Sequence, residues 1–107
     1  MDERLTISTS ATGGTTTLTL EGDLDPSSAP DLAAAVGQAL ARDGLGGLVI
    51  DVAGLAFIDS SGLSALVNGH TDAAEVGVRF SVANPTGLCE RLFEATGLGD
   101  LLGSTAT

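Results

Sequence analysis

The segment GLVIDV at residues 47–52 constrains the fold more than any other part of the sequence. Leu48, Val49 and Ile50 are consecutive apolar residues, and adjacent residues of a β-strand point to opposite faces. A strand that is apolar at successive positions is typical of a sheet covered on both sides. The sequence therefore predicts a central strand here, with other elements packed on both of its faces.

Three further segments alternate between apolar and polar residues, which indicates half-buried strands. Residues 4–9 and 14–21 are separated by the turn SATGG and are predicted to pair as a hairpin; the threonines of the second suit a pleated surface. Residues 78–82 alternate valine or phenylalanine with arginine or serine. A short turn, AGL, is expected to end the central strand before AFID.

Three segments have apolar residues at helical spacing. The first follows a predicted loop, EGDLDPSS, with Ser28 as N-cap and with Pro30 and Asp31 in its first turn. DGLGG is expected to end it. Its apolar stripe comprises Leu32, Ala35, Val36, Ala39 and Leu40.

The second helix is predicted at residues 61–75 and the third from Pro85, followed by a short helical turn at LGDLL. Their apolar faces are expected to hold Leu63, Leu66, Val67 and His70 in the second helix and Leu88, Leu92 and Ala95 in the third. The order β-β-α-β-α-β-α predicts an α/β fold, a mixed sheet with parallel central strands and helices packed alongside. Residues 1–107 are expected to form one domain.

The strongly acidic composition of the chain favours some classes of binding partner over others. The formal net charge is −10, and the four basic residues are all arginines. Such a surface repels nucleic acid and anionic membranes and favours a protein partner with a basic face, unless the acidity serves only solubility. The N-terminal MDERLTIS lacks the apolar segment of a signal peptide, and no apolar run could span a bilayer, so we expect a cytoplasmic protein. The single cysteine, Cys89, is expected to be a packed thiol.

The polar cluster Asp59-Ser60-Ser61-Gly62 lies between an apolar strand end and an amphipathic helix. The first turn of a helix has unpaired N–H groups and a partial positive charge, so a hydroxyl there tolerates phosphorylation. Gly62 is expected to let another surface approach closely. Taken alone, serine or aspartate at this place is more commonly a simple N-cap.

Three segments resemble the STAS domain, which anti-sigma-factor antagonists share with the tails of sulfate transporters. LVIDVAGLAFIDSSGLSALVNG resembles its central signature, EGDLD its Gly-acidic-Leu-Asp motif, and FSVANPTGLCERLFEATGLGDLL its closing strand and helix. The three occur in the family's order over about residues 4–103. HTDAAEVGVR departs from the family by being acidic where relatives are often basic, which leaves the choice of kinase open.

The resemblance implies a sheet of four to five strands with three to four helices, and no catalytic, cofactor or metal site in this chain. It implies that Ser60 accepts a phosphate, that Asp25 and Asp59 flank it, and that Ser61, Gly62 and Leu63 contact the partner. That partner is an anti-sigma factor that is also a serine kinase using ATP and magnesium. Phosphorylation inactivates the antagonist, and a phosphatase restores it.

Other classes of function remain to be weighed. A serine hydrolase needs a base near Ser60 or Ser61, and the only histidine, His70, lies too far along the predicted helix. Asp23, Asp25 and Asp59 could attract a hard cation, although solvated loop acids are more common. The main alternative is a STAS module without a phosphorylation cycle, acting as a scaffold in stress signalling or beside a lipid or solute transporter.

Overall fold

Four strands and three helices follow one another as β-β-α-β-α-β-α within residues 4–96, the part of the chain that this computed structural model describes. This is the predicted order. The elements are β1 (Thr6–Thr12), β2 (Thr15–Leu24), α1 (Ala29–Leu40), β3 (Gly47–Ile58), α2 (Ser60–Glu75), β4 (Arg79–Ala83) and α3 (Gly87–Thr96). The predicted final turn, LGDLL, lies outside the described residues.

The strands form one mixed sheet in the order β1-β2-β3-β4. β1 and β2 form the predicted antiparallel hairpin, whose loop is only Gly13 and Gly14, shorter than the expected SATGG turn. β2, β3 and β4 run parallel, so their carboxyl ends lie at one edge of the sheet. The predicted α/β class and mixed sheet are confirmed.

α1 and α2 pack on one face of the sheet, over β2, β3 and β4. Leu48 and Ile50 of β3 are fully buried there, together with Leu18 and Leu20 of β2. Val49, which points to the opposite face, is only half-buried. The prediction of elements packed on both faces of β3 is therefore met only in part, because the face of Leu48 and Ile50 is buried and that of Val49 is half-covered.

Two predicted breaks in the strands are absent. The segment EGDL continues β2 as far as Leu24, and the segment AGL lies within β3. Gly54 makes this continuity possible, since a Cβ atom there would lie 2.7 Å from the Glu21 Cγ and 2.9 Å from the Leu20 carbonyl oxygen. The register between β2 and β3 shifts at this close approach, which is typical of an irregularity at a strand glycine.

The helices begin close to their predicted starts, with two differences. Ser28 occupies the N-cap position of α1, but its hydroxyl makes no capping hydrogen bond. α3 begins at Gly87, two residues after Pro85, and its buried residues include Cys89 and Phe93, whereas Ala95 is exposed. Of the predicted apolar face of α3, Leu92 packs partly against the core, Ala95 is exposed, and the side chain of Leu88 lies outside the described part of the chain. The prediction of a packed Cys89 is confirmed.

The apolar stripe of α1 is as predicted, with Leu32, Val36 and Ala39 buried against the core. In α2, Leu63 and Leu66 are buried, and Val67 packs partly against them. Within residues 4–96, no helix combines the length and the hydropathy needed to cross a membrane.

Candidate functional site

The carboxyl ends of β2 and β3 coincide, and this places two aspartates side by side in the fold. Leu24 pairs with Ile58 in the parallel register, and the Asp59 N–H lies 3.4 Å from the Leu24 carbonyl oxygen. Asp25 directly follows β2 and Asp59 directly follows β3, and neighbouring strands lie about 4.8 Å apart. The edge of the sheet that carries them is where open α/β sheets usually place ligand sites.

Asp59 is the N-cap of α2. Its backbone is extended, its carboxylate oxygen Oδ1 accepts a hydrogen bond from the Gly62 N–H at 3.1 Å, and its carbonyl accepts the Leu63 N–H at 2.9 Å. The simple capping role considered for this cluster therefore belongs to Asp59. Ser60 is the first residue of the helix and is exposed, so its hydroxyl lies at the positive end of α2.

Asp25 organises the turn that follows β2. Its oxygen Oδ1 accepts hydrogen bonds from the Ser27 hydroxyl at 2.7 Å, the Ser27 N–H at 3.0 Å and the Ser28 N–H at 3.2 Å. The Ser28 hydroxyl is buried and donates to the Asp23 carbonyl at 2.8 Å, which explains why it does not cap α1. The Asp25 carboxylate therefore has a local structural role.

These contacts set the charge state of Asp25. The hydrogen bond from the Ser27 hydroxyl lowers the pKa of Asp25 below its usual value; partial desolvation opposes this, and the N–H groups of Ser27 and Ser28 lower it further. Hydrogen bonds to the ionised carboxylate make it the favoured form.

The lowered pKa predicts a pH effect on stability. A carboxyl whose folded pKa is depressed contributes stability above its unfolded pKa of about 4 and loses it as the pH falls through the lower folded value. We therefore expect the thermal midpoint of the wild-type protein to fall more steeply below about pH 4 than that of Asp25→Asn. Thermal unfolding followed by circular dichroism from pH 7 to 3 measures these midpoints. The control is Asp43→Asn, since Asp43 is an exposed aspartate after α1. Parallel curves for the wild type and Asp25→Asn would exclude the effect.

Gly62 and Leu63 face the interior of the molecule. A Cβ atom on Gly62 would lie 2.7 Å from the Leu24 Cγ, 2.8 Å from the Leu24 carbonyl oxygen and 3.0 Å from the Ile58 Cγ1. The absence of a side chain at Gly62 therefore allows the end of β2 to pack closely against α2. The sequence had suggested that Gly62 allows close approach of another surface, such as a partner's. Leu63 is 5% exposed and Ser61 is half-buried. A direct contact of these residues with a partner stays a prediction.

An apolar depression adjoins Ser60 along α2. Leu63 lies in it with Ser64, Val67 and Asn68, and no charged residue lines it. Phe57, one of two large exposed apolar residues in the described part of the chain, is 45% exposed just before this helix. The sequence places Phe57 at the apolar strand end, and strand alternation turns it away from the buried Ile58.

His70 has a packing role. Its ring lies edge-on to Phe80, with the ring centroids 5.9 Å apart, and it is half-buried on α2. Ser60 lies ten residues earlier on the same helix, about 15 Å away at 1.5 Å per residue, so the two cannot form a hydrolase pair. Among residues 4–96, no group of three or more histidine, cysteine, aspartate or glutamate side chains is arranged to hold a metal ion.

The comparisons with known proteins agree on the family. Residues 7–103 match the family model described as "Mlab, STAS domain". An anti-sigma factor antagonist from Mycobacterium paratuberculosis has a similar structure, with a TM-score of 0.86 and 26% identity, covering 97% of this chain and 87% of the other.

Two further solved structures share the fold. Unphosphorylated SpoIIAA, an anti-sigma factor antagonist, has a TM-score of 0.81 at 20% identity, covering 95% of this chain and 88% of that one. The murine anion transporter Slc26a9 has a TM-score of 0.77 at 14% identity, and the match covers 92% of this chain but 17% of the transporter. The family model covers most of the sequence and the fold agrees with it, so the chain belongs to the STAS domain family.

Proposed function

We propose that this protein is an anti-sigma-factor antagonist that is switched off by phosphorylation of Ser60. In its active form it binds an anti-sigma factor that is also a serine kinase, and the sigma factor is released. The observation that carries the proposal is the exposed Ser60 hydroxyl at the first position of α2, beside the N-cap Asp59.

Phosphoryl transfer needs only an accessible hydroxyl from this chain. ATP and magnesium bind to the partner, which also supplies the catalytic base, so the antagonist itself is not an enzyme and holds no cofactor. The protein acts in the cytoplasm, where the sigma factor and its regulators meet. A separate phosphatase removes the phosphate and restores the binding form.

The switch rests on local electrostatics. A phosphoserine carries about −1.5 to −2 charges at pH 7. At Ser60 this charge lies next to the Asp59 carboxylate, and the Asp25 carboxylate follows the neighbouring strand. Docking would bury the phosphate among like charges, and this cost reduces the affinity without refolding. The positive end of α2 stabilises the phosphate in the free protein, so the fold is retained.

The surface near Ser60 also indicates what kind of partner fits. A depression of about 340 Å³ beside the end of β2 is lined by Asp23, Asp25 and Asp31 together with Arg4. The depression along α2 is uncharged and largely apolar. A partner that presents basic side chains to the first depression and an apolar side chain to the second complements both surfaces.

Phosphorylation by the cognate kinase tests the proposal. With an anti-sigma factor that is also a serine kinase, ATP and magnesium, Ser60→Ala should incorporate no phosphate yet still bind. Ser64→Ala, an exposed serine one turn further along α2, should be phosphorylated like the wild type. Ser60→Asp should bind about tenfold more weakly or worse, because it adds charge beside Asp59. Intact-mass analysis and calorimetric titration give the two readouts. Full phosphorylation of Ser60→Ala would refute the site.

The second candidate is a STAS module that binds its partner without a phosphorylation cycle. The family model is described by the name Mlab, and the fold also occurs in an anion transporter. A transport protein as partner, with binding unaffected by Ser60→Asp, would favour this candidate over the antagonist. The same titration therefore separates the two.

A further inference from the structure

The two edges of the sheet differ in how they are protected against pairing with another strand. β4 forms one edge; it is five residues long, begins with the exposed Arg79 and is followed by Asn84 and Pro85. A short strand, a charge and a nearby proline are the features by which natural sheets block edge-to-edge pairing. β4 is thus a protected edge.

β1 forms the other edge and has none of these features. Its seven residues, TISTSAT, include no charged residue and no proline, although the chain carries a net charge of −10. Its register with β2 runs from Thr6 to Thr12 without a bulge, and all its residues except Ile7 are exposed. Within residues 4–96, only β2 pairs with β1. Its outer backbone groups therefore form a regular, uncharged row that faces outward.

We propose that the β1 edge is a self-association surface, on which a second copy of this chain pairs antiparallel with β1 about a twofold axis. This inference is independent of the proposed function. The twofold axis passes next to Thr9, so that Thr9 faces its own copy and Ser8 faces Ser10. The two sheets then form one continuous sheet of eight strands.

The side chains of β1 suit this pairing. Ile7 and Thr9 share the face of Leu20 and Leu18, their partners on β2, whereas Ser8 lies on the other face. In the twofold register, Ile7 meets Ala11 on the helix-covered face, and only hydroxyl side chains meet on the other. Threonine and serine pairs stabilise neighbouring strands, whereas like charges directly opposite one another destabilise them. No residue of one β1 strand therefore faces a charged residue of the other.

A small depression at this edge provides further contact area. It lies between the hairpin and α1, and the residues that line it include one charge: Thr9, Thr16, Leu18, Ala35, Gln38, Ala39 and Arg42. A second β1 strand at the edge would cover it. The seam remains narrow compared with stable interfaces, so we expect a weak dimer that forms with rising concentration.

Sedimentation velocity of the complete chain, from micromolar to millimolar concentration, tests the association. The weight-average mass should rise toward twice the 10.5 kDa of one chain. Ser8→Lys combined with Ser10→Lys places lysine opposite lysine across the seam and should raise the dimer dissociation constant at least about tenfold. Ser64→Lys combined with Asn68→Lys, on the exposed side of α2, is the charge-matched control and should dimerise like the wild type.

A disulfide tests the register. Paired residues have Cβ atoms about 4.5–5.5 Å apart, so Thr9→Cys should crosslink to its own copy under mild oxidation. Thr6→Cys lies on the same exposed strand but about 20 Å from its copy in this register, and should crosslink far more slowly. The native Cys89 is buried and should not interfere.

Three results would overturn the proposal. The first is a wild-type protein that stays monomeric at millimolar concentration. In that case β1 does not pair with its own copy, and a strand of a different protein would be the remaining candidate. The second is dimerisation that the β1 lysines do not weaken relative to the α2 control. The third is equal crosslinking of Thr6→Cys and Thr9→Cys.

Discussion

Gly62→Ala should destabilise the protein by about 1–3 kcal/mol, although alanine favours helices more than glycine does. The new methyl group would lie 2.7 Å from the Leu24 Cγ and 2.8 Å from the Leu24 carbonyl oxygen. The carbonyl belongs to a paired strand end and cannot move without disturbing the register of β2 and β3. Overpacking therefore exceeds the gain in helix propensity.

Gly37→Ala is the matched control, because Gly37 lies inside α1 and a Cβ atom there would have no neighbour within 4 Å. This variant should be more stable than the wild type by about 0.5–1 kcal/mol. Urea denaturation of both variants gives the free energies of unfolding. Equal effects of the two substitutions would mean that α2 does not pack closely on the end of β2.

The second large expected loss of stability is at Leu24, the residue that Gly62 contacts. Leu24 is fully buried, so Leu24→Ala should cost about 2–5 kcal/mol through lost burial and the cavity that remains. Val76→Ala removes apolar atoms from a residue that is 59% exposed and should change stability by less than about 0.5 kcal/mol. Urea denaturation again provides the measurement.

A double-mutant cycle links the two substitutions. Leu24→Ala removes the Cγ atom that a Cβ at residue 62 would meet, but the Leu24 carbonyl remains. Gly62→Ala should therefore cost less in the Leu24→Ala background, with a coupling of about 0.5–3 kcal/mol, yet still destabilise. Simple additivity would mean that the two residues do not touch. The cycle matters for function because this contact fixes the tip of α2 that presents Ser60.

Part of the site could be predicted from the sequence because its signals are local. An apolar strand end, a polar Asp-Ser-Ser-Gly cluster and an amphipathic run predict a helix start, and the structure has one at Ser60. The roles of neighbouring residues could not be predicted in this way. Asp59 caps the helix and Asp25 binds Ser27 and Ser28, and both depend on which N–H groups the folded backbone leaves within reach.

The errors in the fold have a common cause. EGDL and AGL contain glycine and acidic residues, which favour loops when each segment is considered alone. In the folded chain they pair with one another, since Glu21 lies opposite Gly54 and Gly22 opposite Leu55 in the parallel register. Backbone hydrogen bonds between strands more than 30 residues apart outweigh local preference, and no short window of sequence contains that information.

By itself, the sequence determined the order of the elements, the mixed α/β class, the apolar stripes of the first two helices and the serine at the start of the second. All of these follow from the spacing of apolar side chains and from residues adjacent in the chain. Only the tertiary structure decided that Gly62 faces the end of β2, that one sheet face is left partly open and that β1 is an edge without a charge. Those features depend on which distant segments meet, because packing and strand pairing act between residues that the sequence keeps apart.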